Sequence, residues 1–332
     1  MAQKQFTLED LNFGGTNYHN MVAKNRYTTW WGSQLVRLDA DRCSLVNKTT
    51  GKEQPLFTLD QLNRWMKTDE STKVHSLYYV SFPYAGKSLV YVMAKGRRYL
   101  VDFKKHKTVW QQDAAAETPA GRNPASRQGA FVKDYNLFVR TADGVEHQIS
   151  NDASREILYG TSVHRDEFGW SKGTFWSPNG EKLLFTRMDQ TMVSDYPQVV
   201  IPEVDGQREE GRSRIATPAP DKYPMAGEKM HKVTLGVYDM KTGQTVYLKA
   251  GDPTDRYFTN PAWSPDGRTV YLFELNRDQN DCRLTAYNAE TGEKTGELYR
   301  ETDEKYVEPC HPIQFLPWDS NSFIMQTRKD GY

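Results

Sequence analysis

The chain has 332 residues with 43 basic and 43 acidic side chains, so it carries no formal net charge and no field that would draw it to nucleic acid or an anionic membrane. Aromatic residues make up 12%, too many bulky apolar groups for a disordered chain, and no apolar run approaches the ~18 residues of a membrane-spanning helix. Cys43, Cys282 and Cys310 show no Cys-x-x-Cys spacing, which argues against a disulfide framework and a zinc site and leaves packed thiols.

The opening residues, MAQKQFTLEDL, lack a basic segment followed by an apolar stretch, so no signal peptide is expected. Ala2-Gln3 fits the boundary left by a removed leader, and a secreted or periplasmic location is the expectation. Leu45-Val46 to Thr50-Gly51 predicts a hairpin: two apolar runs around a short polar turn ending in Gly. Thr58 predicts a cap for a helix over 59–66, the one convincingly helical segment. Phe82-Pro83-Tyr84-Ala85-Gly86 then leads into Ser88-Leu-Val-Tyr-Val-Met93. Pro sets φ at the first corner of such a turn, and Gly accepts positive φ before a β-rich run begins.

The stretch 113–122 reads as a plain loop, and Asn123-Pro124 before Gly129-Ala-Phe-Val132 repeats the turn weakly. A hairpin is predicted from Phe138-Val139 to Asp143-Gly144. His164-Arg-Asp-Glu-Phe-Gly-Trp170 concentrates charge beside aromatics. Its carboxylates, Asp166 and Glu167, suit either a cationic group such as a peptide α-amine, held by charge-assisted hydrogen bonds, or an internal pair with Arg165. Phe175-Trp-Ser-Pro-Asn-Gly180 is the turn in its strong form, and it reads as the start of a repeat unit.

Between 191 and 232 the chain is polar, charged and rich in proline, which predicts an inserted lid or loop in place of a core strand. Val237-Tyr238 to Thr242-Gly243 predicts another hairpin, Ala262-Trp-Ser-Pro-Asp-Gly267 another strong turn, and Thr285-Ala-Tyr287 to Thr291-Gly292 another hairpin. Leu316-Pro-Trp-Asp319 before Ser322-Phe-Ile-Met325 is the last weak copy. The turn prolines at 83, 124, 178, 265 and 317 recur at intervals near the roughly 40–50 residues of a four-stranded propeller blade, with the 191–232 excess lengthening one of them. The expected fold is all-β: a β-propeller of four-stranded blades over 1–332, with an insertion around 191–232.

Several chemistries lack their residues. No Gly-x-Ser-x-Gly elbow offers a serine nucleophile, and no Gly-x-x-x-x-Gly-Lys or Gly-x-Gly-x-x-Gly loop offers a nucleotide site. The seven histidines show no pair at three- or four-residue helical spacing, so no metal and no cofactor is expected.

The order of Asp134-Tyr-Asn-Leu-Phe-Val139, Tyr159-Gly160, His164 to Gly169, Phe175 to Gly180, Tyr223-Pro224 and Ala226-Gly-Glu228 then carries a resemblance. It continues through Val237-Tyr-Asp239, Leu275-Asn-Arg-Asp-Gln-Asn280, Tyr306-Val-Glu-Pro309 and Arg328-Lys-Asp-Gly-Tyr332. The chain resembles the propeller domain of dipeptidyl peptidase IV and its bacterial relatives in the prolyl oligopeptidase superfamily, with only a loose match over residues 1–100. That resemblance implies a serine exopeptidase in which the propeller gates an α/β-hydrolase domain releasing N-terminal X-Pro or X-Ala dipeptides. It implies that the chain stops inside a blade, with the catalytic triad and the hydrolase domain missing, and that the full-length protein is a homodimer.

In that family two glutamates on a short helical segment hold the substrate's free amino terminus. Their nearest counterparts here are Glu167 and Asp166, a departure from the expected pair of glutamates. Tyr223, Pro224, Asn276 and Arg277 are expected to be structural, as are the blade tryptophans Trp176 and Trp263. The rival reading is a stand-alone propeller that binds peptide or protein.

Overall fold

The computed structural model describes residues 5–21, 26–113, 118–123, 125–201, 216–316 and 318–330. Several expected features lie outside the described residues: Ala2-Gln3, Pro124, Pro317, Gly331-Tyr332 and the centre of the insertion. The chain divides into two compact units, Met1–Ala114 and Ala115–Tyr332.

The first unit opens with two short helices, Leu8–Leu11 and Thr16–Met21, which the sequence reading did not expect. A sheet of four antiparallel strands follows in chain order: Tyr27–Trp31, Gln34–Leu38, Arg42–Val46 and Glu53–Thr58. The helix Leu59–Met66 starts where predicted. Thr58 Oγ1 accepts from the Gln61 N–H while Gln61 Oε1 accepts from the Thr58 N–H, a reciprocal capping box. A second sheet comprises Leu89–Ala94, Arg97–Asp102 and Lys107–Asp113, with Ser81 bridging to Tyr91 as the remnant of a fourth strand. Trp31, Phe57, Phe82 and Phe103 interlock as the core of this unit.

The second unit contains three larger sheets in sequence. The first joins Thr118–Asn123, Gln128–Lys133, Asn136–Arg140 and Glu146–Gln148. The supposed loop over 113–122 therefore corresponds in its described part to the end of one strand and most of another; its Ala, Gly and Pro content hid the strand signal. In the middle sheet, Ile157–Tyr159 and Thr174–Trp176 both pair with Lys182–Asp189, which pairs in turn with Lys232–Asp239 and then Thr245–Tyr247. The last sheet is regular: Arg256–Trp263, Thr269–Asn276, Asp281–Asn288 and Lys294–Thr302. Gln314–Leu316 and Asp319–Ile324 form a further hairpin. Sheets of antiparallel strands, each strand beside its chain neighbour and each sheet following the last, are the blades of a β-propeller.

Side-chain alternation packs these blades together. Along Lys182–Asp189, Leu183 and Phe185 enter one apolar cluster with Leu137 and Val139, while Leu184 and Met188 enter another with Val270 and Leu272. A strand buried on both faces reads as a continuous apolar run, which is how Leu-Leu-Phe stands in the sequence.

The repeated turns perform one task throughout. Each described copy connects the first strand of a blade to the second, so the motif lies inside a blade and does not open it. Ser177 Oγ accepts from the Lys182 N–H at 2.9 Å, and Ser264 Oγ accepts from the Thr269 N–H at 2.9 Å. Third-to-fourth-strand turns are also alike: Asn47, Asp102, Asp239 and Asn288 each accept two backbone N–H bonds from residues two and three positions on.

The insertion replaces the tight turn between Lys182–Asp189 and Lys232–Asp239. Its described ends form a two-stranded arm, with Asp195–Tyr196 against Asp221–Lys222 and Val199–Val200 against Thr217–Pro218.

Candidate functional site

The residues singled out by charge, Asp166 and Glu167, belong to a loop that leaves the first strand of the middle sheet at Gly160 and returns at Gly173. The ladder barely registers the departure. Gly160 donates its N–H to Thr186 O, and the Thr186 N–H bonds to Gly173 O, both at 2.9 Å, so two glycines together take the place of one strand residue. A Cβ on Gly173 would stand 2.0 Å from Thr161 O, which is why the neck admits only glycine there.

Within the loop, residues His164–Gly169 make two short turns joined by a kink, with unusual backbone. His164, Arg165, Asp166 and Phe168 have φ of 53°, 53°, 62° and 61°, while Glu167 is extended at φ −59°, ψ 163°. Left-handed geometry costs an L-residue on the order of 1 kcal/mol, so four such residues persist only because their surroundings hold them.

Two buried side chains supply that hold. Phe168 packs against Tyr257 of the last sheet, its carbonyl accepting from Asn260 Nδ2 at 2.7 Å. His164, 2% exposed, sits with its Nδ1 2.8 Å from His231 Nε2, and the two rings are stacked. The Phe258 N–H donates to His164 Nε2, so that nitrogen is unprotonated and Nδ1 carries the hydrogen given to His231. Burial, reinforced by the neighbouring His231, holds His164 well below the usual imidazole range. Burial and the charge of Arg165 bring His231 down to about 4. Both rings are therefore neutral at physiological pH, in keeping with a His164 ring that accepts at Nε2 and donates from Nδ1.

The exposed side chains of the turn divide by sign. Arg165 leans away from its acidic neighbours: its guanidinium lies 4.6 Å from the centre of the Tyr223 ring and 3.0 Å from Asp221 Oδ2 on the arm. The internal pair with Asp166 or Glu167, one of the two expectations from sequence, does not form. Both carboxylates stand exposed, and among the described residues no ion pair engages either one. Beside them a cavity of about 320 Å³ is lined by Ser162, His164, Arg165, Asp166, Lys222 and His231, among others.

Tyr223 and Arg277 have structural contacts, Tyr223 beneath Arg165 and Arg277 bonded to Asp255 and the Glu228 carbonyl. The Trp263 indole N–H donates to Phe175 O, tying the last sheet to the middle one. The pairing of His164 with His231 was not visible in the sequence, because the two are far apart along the chain and off any helical spacing; Asn260 carried no signal beyond its place before Pro261. Among the described residues, no group of three or more His, Cys, Asp or Glu is arranged to hold a metal, and no helix is long and apolar enough to cross a membrane.

Blades built on these turns define the class: an all-β protein of the propeller fold, with no α/β-hydrolase domain within the 332 residues. Residues 76–332 match the family described as the dipeptidyl peptidase IV (DPP IV) N-terminal region, and the chain belongs to that family. It is similar to a crystal structure described as a dipeptidyl aminopeptidase IV from Bacteroides ovatus, with 40% identity and a TM-score of 0.79 over 99% of this chain and 44% of that one. A probable dipeptidyl-aminopeptidase B of Pyrenophora teres f. teres is 25% identical across 99% of this chain and 39% of its own length. Porphyromonas gingivalis dipeptidyl peptidase 4 shares the fold, with a TM-score of 0.71 at 19% identity over 100% of this chain and 47% of that one. The chain thus spans less than half the length of these relatives.

Proposed function

We propose that this propeller reads the free amino terminus of a peptide for a serine exopeptidase that releases X-Pro or X-Ala dipeptides, with Glu167 and Asp166 as the amine-binding carboxylates. One observation carries the reading: Arg165 is committed to Asp221 and Tyr223, which leaves two adjacent carboxylates exposed and without a cation among the described residues, on a turn braced from beneath. A primary ammonium supplies the missing charge and three donors, and hydrogen bonds to charged groups contribute roughly 1.5–3 kcal/mol each. Fixing the ammonium sets the distance to the scissile carbonyl, so the length of the released fragment follows from position and needs no reactive group in the propeller. The bond-breaking step belongs, in this reading, to an α/β-hydrolase domain outside these residues.

The test is Glu167→Gln and Asp166→Asn in the protein carrying its hydrolase domain, assayed on a dipeptidyl anilide with a free amine and on its N-acetylated form. Glu167→Gln should lower kcat/KM for the free amine by roughly 10–100-fold, the equivalent of about 1.5–3 kcal/mol, while leaving the acetylated substrate unaffected. Unchanged discrimination between the two substrates rejects the reading. Binding of free-amine peptide with no turnover in any preparation, and no serine nucleophile labelled by a fluorophosphonate, favours a stand-alone binding module instead.

A further inference from the structure

Asn260 is a strained residue next to the site, and no role in amine recognition has been given to it above. It is 2% exposed, lies in the middle of the strand Arg256–Trp263, and has φ of 48° without being glycine. The strand register slips at this point, between Thr259 and Ala262. Asn260 Nδ2 donates to two carbonyls from distant parts of the chain, Phe168 O at 2.7 Å and Pro309 O at 2.6 Å, with Thr259 Oγ1 at 3.1 Å. Its Oδ1 is buried with no hydrogen-bond partner among the described residues. A left-handed backbone, a slipped register and an unbonded amide oxygen all count against stability at one buried position. Such a residue points to a duty other than holding its own strand.

The location indicates the duty. Counted back from the motif tryptophans, Asn260 and Gly173 each stand three residues before; in the ladder the slip makes Asn260 a bulge residue next to Thr259, which faces Phe273 at the level where Gly173 faces Thr186. The middle sheet extrudes its carboxylate loop from this position; the last sheet turns a side chain back to hold that loop. Phe168 O is the carbonyl of the residue following Glu167. With Phe168 fixed by its ring against Tyr257 and by its carbonyl on Asn260, the residue next to Glu167 is anchored on both its side chain and its main chain, which limits where the Glu167 backbone and its side chain can stand. Pro309 O brings the 307–313 segment to the same amide, and Gly169 meets that segment so closely that a Cβ would lie 2.3 Å from Cys310 O.

We infer that Asn260 is a positioning residue for amine recognition, acting through the Phe168 carbonyl to aim Glu167; the inference rests on the amine-binding role proposed for Glu167. The two partners are both carbonyl oxygens, so only a donor serves here. Asn is the shortest side chain that offers two amide hydrogens, and it tolerates the left-handed conformation better than other non-glycine residues.

Asn260→Gly separates positioning from folding, because glycine accepts φ of 48° at no steric cost while losing the donor. In the protein with its hydrolase domain, Asn260→Gly should raise KM for a free-amine dipeptidyl anilide by about tenfold with kcat little changed, the signature of lost ground-state binding. Its melting temperature should stay within a few degrees of the parent. Asn260→Asp, which keeps the shape but presents oxygen to both carbonyls, should show the same rise in KM and serves if the glycine variant folds poorly. Because Asn260 acts through Glu167, the Asn260→Gly effect should vanish in a Glu167→Gln background. Full additivity in the double variant, or an unchanged KM in both folded Asn260 variants while Glu167→Gln raises it, overturns the role of Asn260 and leaves the amine reading standing. An unchanged kcat/KM for the free-amine substrate in Glu167→Gln itself overturns the amine reading and the inference together.

Discussion

The middle sheet of the second unit and the sheet after it are built from the same parts and differ in what they carry. Both turn from first to second strand on a serine whose Oγ accepts a backbone N–H five residues on. Both turn from third to fourth strand on a carboxylate or amide that accepts two more. Only the middle sheet adds chain: a loop from its first strand and a long arm from the turn after its second. The regular sheet contributes single residues, Phe258 and Asn260, that grip the loop of its neighbour. Geometry is kept by the shared parts, and the candidate chemistry lies where one copy departs from the pattern.

The largest expected break in that parallel is steric. Gly173→Ala in the loop neck drives a Cβ into the Gly160–Thr161 backbone, whereas Gly296→Ala in the regular sheet meets nothing within 4 Å. Urea unfolding should show a loss of at least ~3 kcal/mol for the first and within ~0.5 kcal/mol of no change for the second. Similar midpoints for both variants contradict the tight neck.

Next in size is the acid response of the histidine latch, which only the loop-bearing sheet possesses. Burial favours neutral His231, so its folded value of about 4 lies below the 6.5 of an unfolded imidazole. The unfolded chain then binds the extra proton, and stability should be full above pH 6.5 and fall as pH drops toward 4, by about 3 kcal/mol for this ring alone. His164, also held low, adds in the same direction. Unfolding free energies measured across that window should lose part of their slope in His231→Gln, with His164 carrying a share of what remains; an equal slope in parent and variant assigns the acid response to other groups.

The smallest effect sharpens the likeness. Ser177→Ala and Ser264→Ala each strand a backbone donor at an equivalent turn and should cost ~1–2 kcal/mol apiece. Clearly unequal losses contradict the equivalence of the two turns.

The repeat was legible because its determinants are local. Pro, Asn or Asp, and Gly each constrain their own backbone, so turn positions could be read from spacing, as could the Thr58 cap. The strand over 118–123 escaped because Ala, Gly and Pro carry little β signal and its pairing with Gln128–Lys133 is a property of the partner. The split first strand escaped for a similar reason: Ile157–Tyr159 and Thr174–Trp176 are too short to announce themselves, and their unity exists only along Lys182–Asp189. At the site, the charge of Asp166 and Glu167 was visible, but the destination of Arg165 was not, since Asp221 and Tyr223 arrive from the far end of an insertion. His231 and Asn260 depend on folding to reach the loop, and nothing in their own neighbourhoods marks them.

The neck formed by Gly160 and Gly173 has a consequence for how such a protein changes over generations. Since Gly160 and Gly173 between them satisfy both backbone groups of Thr186, the blade has the same ladder whatever lies between them. Changes at the exposed positions 165–167 can be sampled without renegotiating the register of the strands on either side, as long as the buried anchors Val163, His164, Phe168 and Trp170 are kept. Under the proposed reading, the propeller holds this loop as a socket holds a replaceable fitting, and selectivity can drift while the blade that bears it stays fixed.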